Sequence, residues 1–227
     1  MARRACEDPL PSTTYDRSVF LTFDDGPEPS VTPRLLDVLR AERVKATFFI
    51  VGSKAIRPFG QEILYRASED GHSIGNHTFS HLDLTRCPDT VVREEVTATH
   101  EIIQPFESEN RLFRPPYGAI NSRIAGIVTE LGYRLALWDN DPRDWLASSQ
   151  PTGWVESALV AARKRGARVI VCHDTHPSTV DGLSLLVRGL REDGYTFSTL
   201  GTPQVPPGST RRVLAGSTPT ASDCHRR

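Results

Sequence analysis

The chain has 227 residues, with 27 Lys and Arg against 28 Asp and Glu and a formal net charge of −1. That balance, without any polybasic run, argues against nucleic acid or an anionic membrane surface as the main partner. No apolar stretch reaches the length of a spanning helix, so no membrane insertion is expected, and the length suits one large α/β domain or two small ones.

Residues 1–17 read as a polar lead-in, with Arg3 and Arg4 but no apolar segment of signal-peptide type. The protein is therefore expected in the cytoplasm, or secreted or cell-wall associated if an export segment has been removed. Val19 to Phe23 form an apolar run that reads as a buried strand, and Gly26-Pro27 reads as the turn ending it. Helical spacing over 31–44 places Leu35, Leu36, Val38 and Leu39 on one face, with Thr32 as N-cap and Pro33 at the first helical position. A strand over 45–52, a helix over 59–71 and a short strand over 71–75 follow. A long helix is predicted over 90–106, a strand running into a turn over 111–118, and a helix over 120–133. The remaining elements are a strand over 134–141, a helix over 154–166, a strand over 167–174, a helix over 179–195 and a last strand over 196–200.

This β-α alternation with buried strands implies a parallel sheet covered by helices. With no linker in mid-chain, one domain over 18–201 is expected, barrel-like or doubly wound. Residues 202–227 turn rich in Pro, Ser, Thr and Gly and lose periodicity, so a disordered tail is expected there. Cys6, Cys87, Cys172 and Cys224 show no paired spacing, which speaks against a disulfide scaffold or a zinc-thiolate site.

In parallel α/β domains chemistry collects at the carboxyl ends of the strands. Five polar clusters stand there: Asp24-Asp25; His77 and His81; Arg114 and Tyr117; Asp141, Asp144 and Trp145; and His173-Asp174. Two adjacent aspartates at a strand end repel each other unless a positive group sits beside them. His77 and His81 have the i, i+4 spacing that, on a helical turn, points two imidazoles the same way toward a metal. Asp24 or Asp25 can complete a His-His-carboxylate set, leaving the other aspartate free as a general base. Arg114 is a candidate to hold that free aspartate ionised. Tyr117, after two prolines, is a candidate to aim its backbone N–H at a developing oxyanion. His173 is a candidate general acid, its pKa raised by the charge of Asp144. Cys172 alternates with His173 along its strand and should face the other way.

The segments TFDDGP, HTFSH, RPPYG, DPRDW and VCH, in that order, resemble the five motifs of the NodB-type polysaccharide deacetylases of carbohydrate esterase family 4. The resemblance covers about residues 18–201. It implies a single distorted (β/α) barrel that hydrolyses acetyl groups from sugars with one divalent metal ion, zinc first, with cobalt or nickel also accepted by such ligands. It implies Asp24 as base and Asp25, His77 and His81 as metal ligands. Arg114 would partner the base, Tyr117 would donate to the oxyanion, and His173 would be the acid, steered by Asp144 with Asp141 as a second candidate. Trp145 and Val171 would line the acetyl pocket, where the family usually has leucine in place of Val171. The expected partner is an acetylated carbohydrate, and the expected state a monomer. HLDLTRC and DPRDW resemble the chitooligosaccharide deacetylases, whereas HDTHPSTVDGL and GYTFSTL resemble the peptidoglycan N-acetylglucosamine deacetylases. An O-acetyl xylan esterase with the same site and a carbohydrate-binding relative without turnover are the alternatives.

Overall fold

The computed structural model describes residues 17–107, 110–146, 151–166 and 168–201. The lead-in and the tail, with Cys6 and Cys224, lie outside these apart from Arg17. Strands β1 (Ser18–Asp24), β2 (Thr47–Ile50), β3 (Ser73–Asn76), β4 (Leu112–Phe113), β5 (Arg134–Leu135), β6 (Val169–His173) and β7 (Thr196–Ser198) form one sheet. Its order is β5-β4-β3-β2-β1-β6, every pairing is parallel, and β7 runs along the first half of β1. Helices α1 (Thr32–Ala41), α2 (Gly52–Ala55), α3 (Pro58–Glu69), α4 (Asp89–Ile103), α5 (Ser122–Glu130), α6 (Gly153–Arg165) and α7 (Pro177–Glu192) connect the strands. No described helix is long and apolar enough to cross a membrane.

The sheet curls until its two edges meet. Beyond β5, Asn140 bridges Ile170 of β6 in parallel, and its carbonyl accepts the Val171 N–H at 3.0 Å. Asp139 adds a latch, accepting the N–H groups of Arg168 and Val169 at 2.8 and 2.7 Å. The result is the distorted barrel.

Strand alternation sorts the two faces. Val19, Leu21 and Phe23 of β1, Phe48 and Ile50 of β2, and Ile170 and Cys172 of β6 pack outward against helical residues such as Leu35, Leu36, Leu39 and Leu186. Each such side chain, once fully buried, contributes on the order of 1.5–3 kcal/mol. The residues between them face the interior, where Phe49, Leu112 and Ala136 form a small separate cluster. Thr22 and Asp24, also buried, share this inner face of β1. The expected alternation of Cys172 with His173 holds.

Several boundaries differ from the sequence reading. Helix α1 is shorter than 31–44, and Val31, not Thr32, is its N-cap residue. The Thr32 hydroxyl is committed elsewhere, to the Glu28 N–H and to Asp174. Gly52, expected as the last residue of the strand over 45–52, instead opens the short helix α2. The strand expected over 134–141 keeps ladder pairing only at Arg134–Leu135, because the chain then leaves β4 to carry Asn140 across to β6.

Candidate active site

The parallel register brings the strand-end residues to one level. Asp24 ends β1 opposite His173 of β6, and Asn76 of β3 lies opposite Phe113 of β4, so His77 and Arg114 both emerge one residue beyond their strands. A cavity of about 510 Å³ opens at this end, lined by Asp24, Asp25, His77, His81, Trp145 and His173 among others.

The two aspartates are separated by strand geometry and then by a turn. Asp24 continues the inward face of β1, whereas Asp25 adopts a left-handed conformation (φ 75°) and sends its carboxylate elsewhere. Asp24 Oδ1 accepts a hydrogen bond from Arg114 Nη1 at 2.7 Å in a fully buried ion pair. Every arm of that guanidinium is held: Nη1 also donates to the Thr22 hydroxyl at 2.7 Å, Nε to the Ala136 carbonyl at 2.9 Å, and Nη2 to the Leu137 carbonyl at 3.3 Å. The Phe49 ring lies 4.0 Å from the guanidinium carbon. Burial pulls the Arg114 pKa down and the Asp24 carboxylate opposes this. Because breaking a buried pair strands one charge, Arg114→Leu is expected to cost the metal-free protein about 3–5 kcal/mol. Urea unfolding checks it, and a loss below about 1 kcal/mol, the scale of a solvated pair, contradicts the picture.

Asp25, His77 and His81 offer three ligand atoms within 4.8 Å of one another. The Nε2 atoms of His77 and His81 lie 3.4 and 3.0 Å from Asp25 Oδ1. These distances would allow proton sharing, yet Oδ1 is buried without an aligned hydrogen-bond partner. The angles carry more weight than the distances here, since misaligned contacts are weak hydrogen bonds. Three potential ligand atoms clustered around an unpartnered carboxylate oxygen form a donor set that fits a cation. Burial disfavours the Asp25 anion, but the two imidazoles hold its carboxyl well below the usual carboxylate range. His77 Nδ1 lies 2.7 Å from the Arg114 carbonyl, which can only accept, so Nδ1 donates there and Nε2 is the ring nitrogen that faces Asp25. Two imidazoles and a carboxylate suit zinc, cobalt or nickel.

The histidines do converge, but not on a helical turn. Thr78 and His81 have positive φ (66° and 60°), and the loop after β3 is shaped by side chains. Asn76 Oδ1 accepts the Thr78 N–H at 2.9 Å, Thr78 Oγ1 accepts that of His81 at 3.1 Å, and Glu95 of α4 accepts that of Ser80 at 2.7 Å. The helical expectation failed because these short polar side chains offer the backbone a competing set of partners.

Across the cavity, Asp144 is fully buried and takes both the backbone N–H and Nδ1–H of His173, each at 2.8 Å. Thr179 donates to the same carboxylate at 2.5 Å. Burial alone would lower the His173 pKa, but the hydrogen bond and charge of Asp144, with Asp24 and Asp25 further off, raise it to about 9. Asp141, the second candidate for steering His173, instead accepts the Arg143 N–H at 2.9 Å and stays exposed on the rim. Asp174, next along the chain, is also fully buried, and burial pushes its carboxyl up to about 7.

Tyr117 sits in a tight turn at φ 61°, its ring edge-on to His81 with centroids 4.8 Å apart. The N–H groups of Gly118 and Ala119 are taken by the carbonyls of Pro115 and Pro116, while among the described residues no carbonyl takes that of Tyr117. Val171 is buried and Trp145 half exposed in the lining. Trp138 and His176 also line the cavity, and the sequence reading did not single them out. Trp138 lies inside an apolar run that in sequence is indistinguishable from strand. His176 lies three residues past His173 in the strand-end loop, beyond the polar pair that directly follows β6.

The sequence profile of the polysaccharide deacetylase family matches residues 12–136. A chitooligosaccharide deacetylase from Bradyrhizobium is 34% identical over 200 residues, covering 81% of this chain and 89% of the relative. The peptidoglycan-N-acetylglucosamine deacetylase of Listeria monocytogenes is 34% identical over 194 residues; these span 84% of this chain but 40% of the relative's length. Among solved structures, the peptidoglycan deacetylase PdaC from Bacillus subtilis superimposes with a TM-score of 0.70 at 33% identity, over 82% of this chain and 88% of that one.

Proposed function

The chain belongs to the polysaccharide deacetylase family, and from that premise we propose that it removes N-acetyl groups from N-acetylglucosamine-containing oligo- or polysaccharides. The observation that carries the reading is the division of the cleft. The Asp25, His77 and His81 donor set sits beside an Arg114-held carboxylate on one wall and an Asp144-held imidazole on the other. Relatives that act on chitooligosaccharide and on peptidoglycan support the sugar.

Asp25, His77 and His81 would hold a divalent metal, which supplies Lewis-acid polarisation of the acetyl carbonyl and acidifies a water. Asp24 accepts the proton of the attacking water, and Arg114 keeps that carboxylate ionised and aimed. The Tyr117 N–H donates to the carbonyl oxygen as negative charge develops there. His173, with Nδ1–H fixed on Asp144, presents Nε2–H to the departing nitrogen. The C–N bond breaks as that nitrogen takes the proton, giving acetate and a free amine. Trp145 and Val171 bound the space for the acetyl methyl.

Acetate release from N-acetylated chitooligomers, peptidoglycan and acetylxylan, each with and without chelator, tests this. Release from the first two substrates, abolished by chelator and restored by zinc, is expected. Release only from acetylxylan would move the assignment to an O-acetyl esterase, and none from any substrate in zinc would favour a binding protein.

A further inference from the structure

Asp174 takes no part in the chemistry above, yet it is fully buried directly behind the turn that carries both active-site aspartates. Its Oδ2 accepts the Thr32 hydroxyl proton at 2.6 Å, and the same hydroxyl accepts the Glu28 N–H at 2.7 Å. Its backbone N–H donates to the Asp24 carbonyl at 3.3 Å. The carboxyl also fills the space beside Gly26: a Cβ there would stand 2.0 Å from Oδ2 and 2.3 Å from Oδ1. Gly26 does not have a positive φ, so glycine is required by this close approach and not by its backbone conformation. The turn is also gripped by Val51, whose N–H donates to the Gly26 carbonyl at 3.0 Å, and by Lys54, whose ammonium donates to the Asp25 carbonyl at 2.8 Å.

We propose that Asp174 is a positioning residue for the metal site: with Thr32 it forms a buried brace, running from the end of β6 to the start of α1, that fixes the Asp25-Gly26 turn and so the direction of the Asp25 carboxylate. The inference rests on the metal reading of Asp25, His77 and His81. Groups that orient ligands from behind change metal affinity typically 10–100-fold when removed. A residue that merely fills the core lowers stability and leaves the affinity of the folded protein alone.

The test is a zinc titration of the full chain by chelator competition, with thermal melting alongside, for wild type, Asp174→Ala, Asp174→Asn, Thr32→Val and the Asp174→Ala/Thr32→Val double variant. Asp174→Ala is expected to weaken zinc binding by about tenfold or more. Asp174→Asn keeps the volume and an acceptor for Thr32, and should recover most of that loss. Thr32→Val should weaken zinc in the same direction, and the double variant by less than the product of the single losses, since both remove one brace. If Asp174→Ala does not fold, Thr32→Val still decides. Thr32→Val with the zinc affinity of wild type overturns the proposal. Wild type that takes no zinc overturns the metal reading itself, which is a separate failure.

Discussion

Asp24→Asn should lower turnover by about 10²–10⁴-fold, the range for loss of a positioned general base, while the protein still binds zinc. Asp25→Asn should lose zinc and activity together. Adjacent residues of one type owe this difference to backbone geometry. Asp24 is the last residue of a ladder-paired strand and shares the interior with Arg114, its Oδ2 4.0 Å from His77 Nε2. Asp25, one residue on at φ 75°, is out of the ladder and faces both imidazoles. Zinc titration beside single-turnover acetate release separates the two roles. Equal loss of zinc in both variants would refute the division.

The second large effect concerns His173. An amine leaves poorly unless its nitrogen is protonated, and no other described side chain in the cleft is held as this one is, Nδ1–H locked on a buried carboxylate. His173→Ala should cost about 10²–10⁴-fold on N-acetyl substrates and far less on activated aryl acetates, whose leaving groups need little protonation. The pair also has a pH signature in stability. Its pKa, about 9 in the metal-free folded state, lies above the 6.5 of a free histidine. Its stabilising contribution is therefore complete below about 6.5 and is lost as pH rises through about 9. The gap in melting temperature between the metal-free wild type and His173→Ala should be widest near pH 6 and narrow as pH rises through about 9. Equal losses on amide and ester, with a pH-independent gap, would reduce His173 to a core residue.

Much of this site was legible because a parallel strand announces its own end. Val19 to Phe23 could be read as buried, so whatever followed had to stand at the sheet's carboxyl edge, and the same logic located His77, Arg114 and His173. The alternation that sends Cys172 outward sends His173 inward. What escaped was set by side chains competing for backbone groups, which periodicity does not record. Asn76, Thr78 and Glu95 bend the histidine loop into a non-helical turn. Thr32 looks like a cap in sequence but spends its hydroxyl 142 residues away, on Asp174. Trp138 is not legible as a cleft residue because an apolar run does not show where pairing stops. In the structure β5 has two paired residues, and the tryptophan beyond them reaches the cleft.

If the Asp25 carboxylate and the two imidazoles hold a catalytic metal while the Asp24 carboxylate stays free, a crystal of the full chain grown with zinc, measured on either side of the zinc absorption edge, should reveal it. One strong anomalous peak is expected in contact with the Asp25 carboxylate and both Nε2 atoms, with Asp24 still on Arg114 and outside the coordination shell. A peak bound by Asp24, or His77 or His81 turned away from the ion, would contradict it.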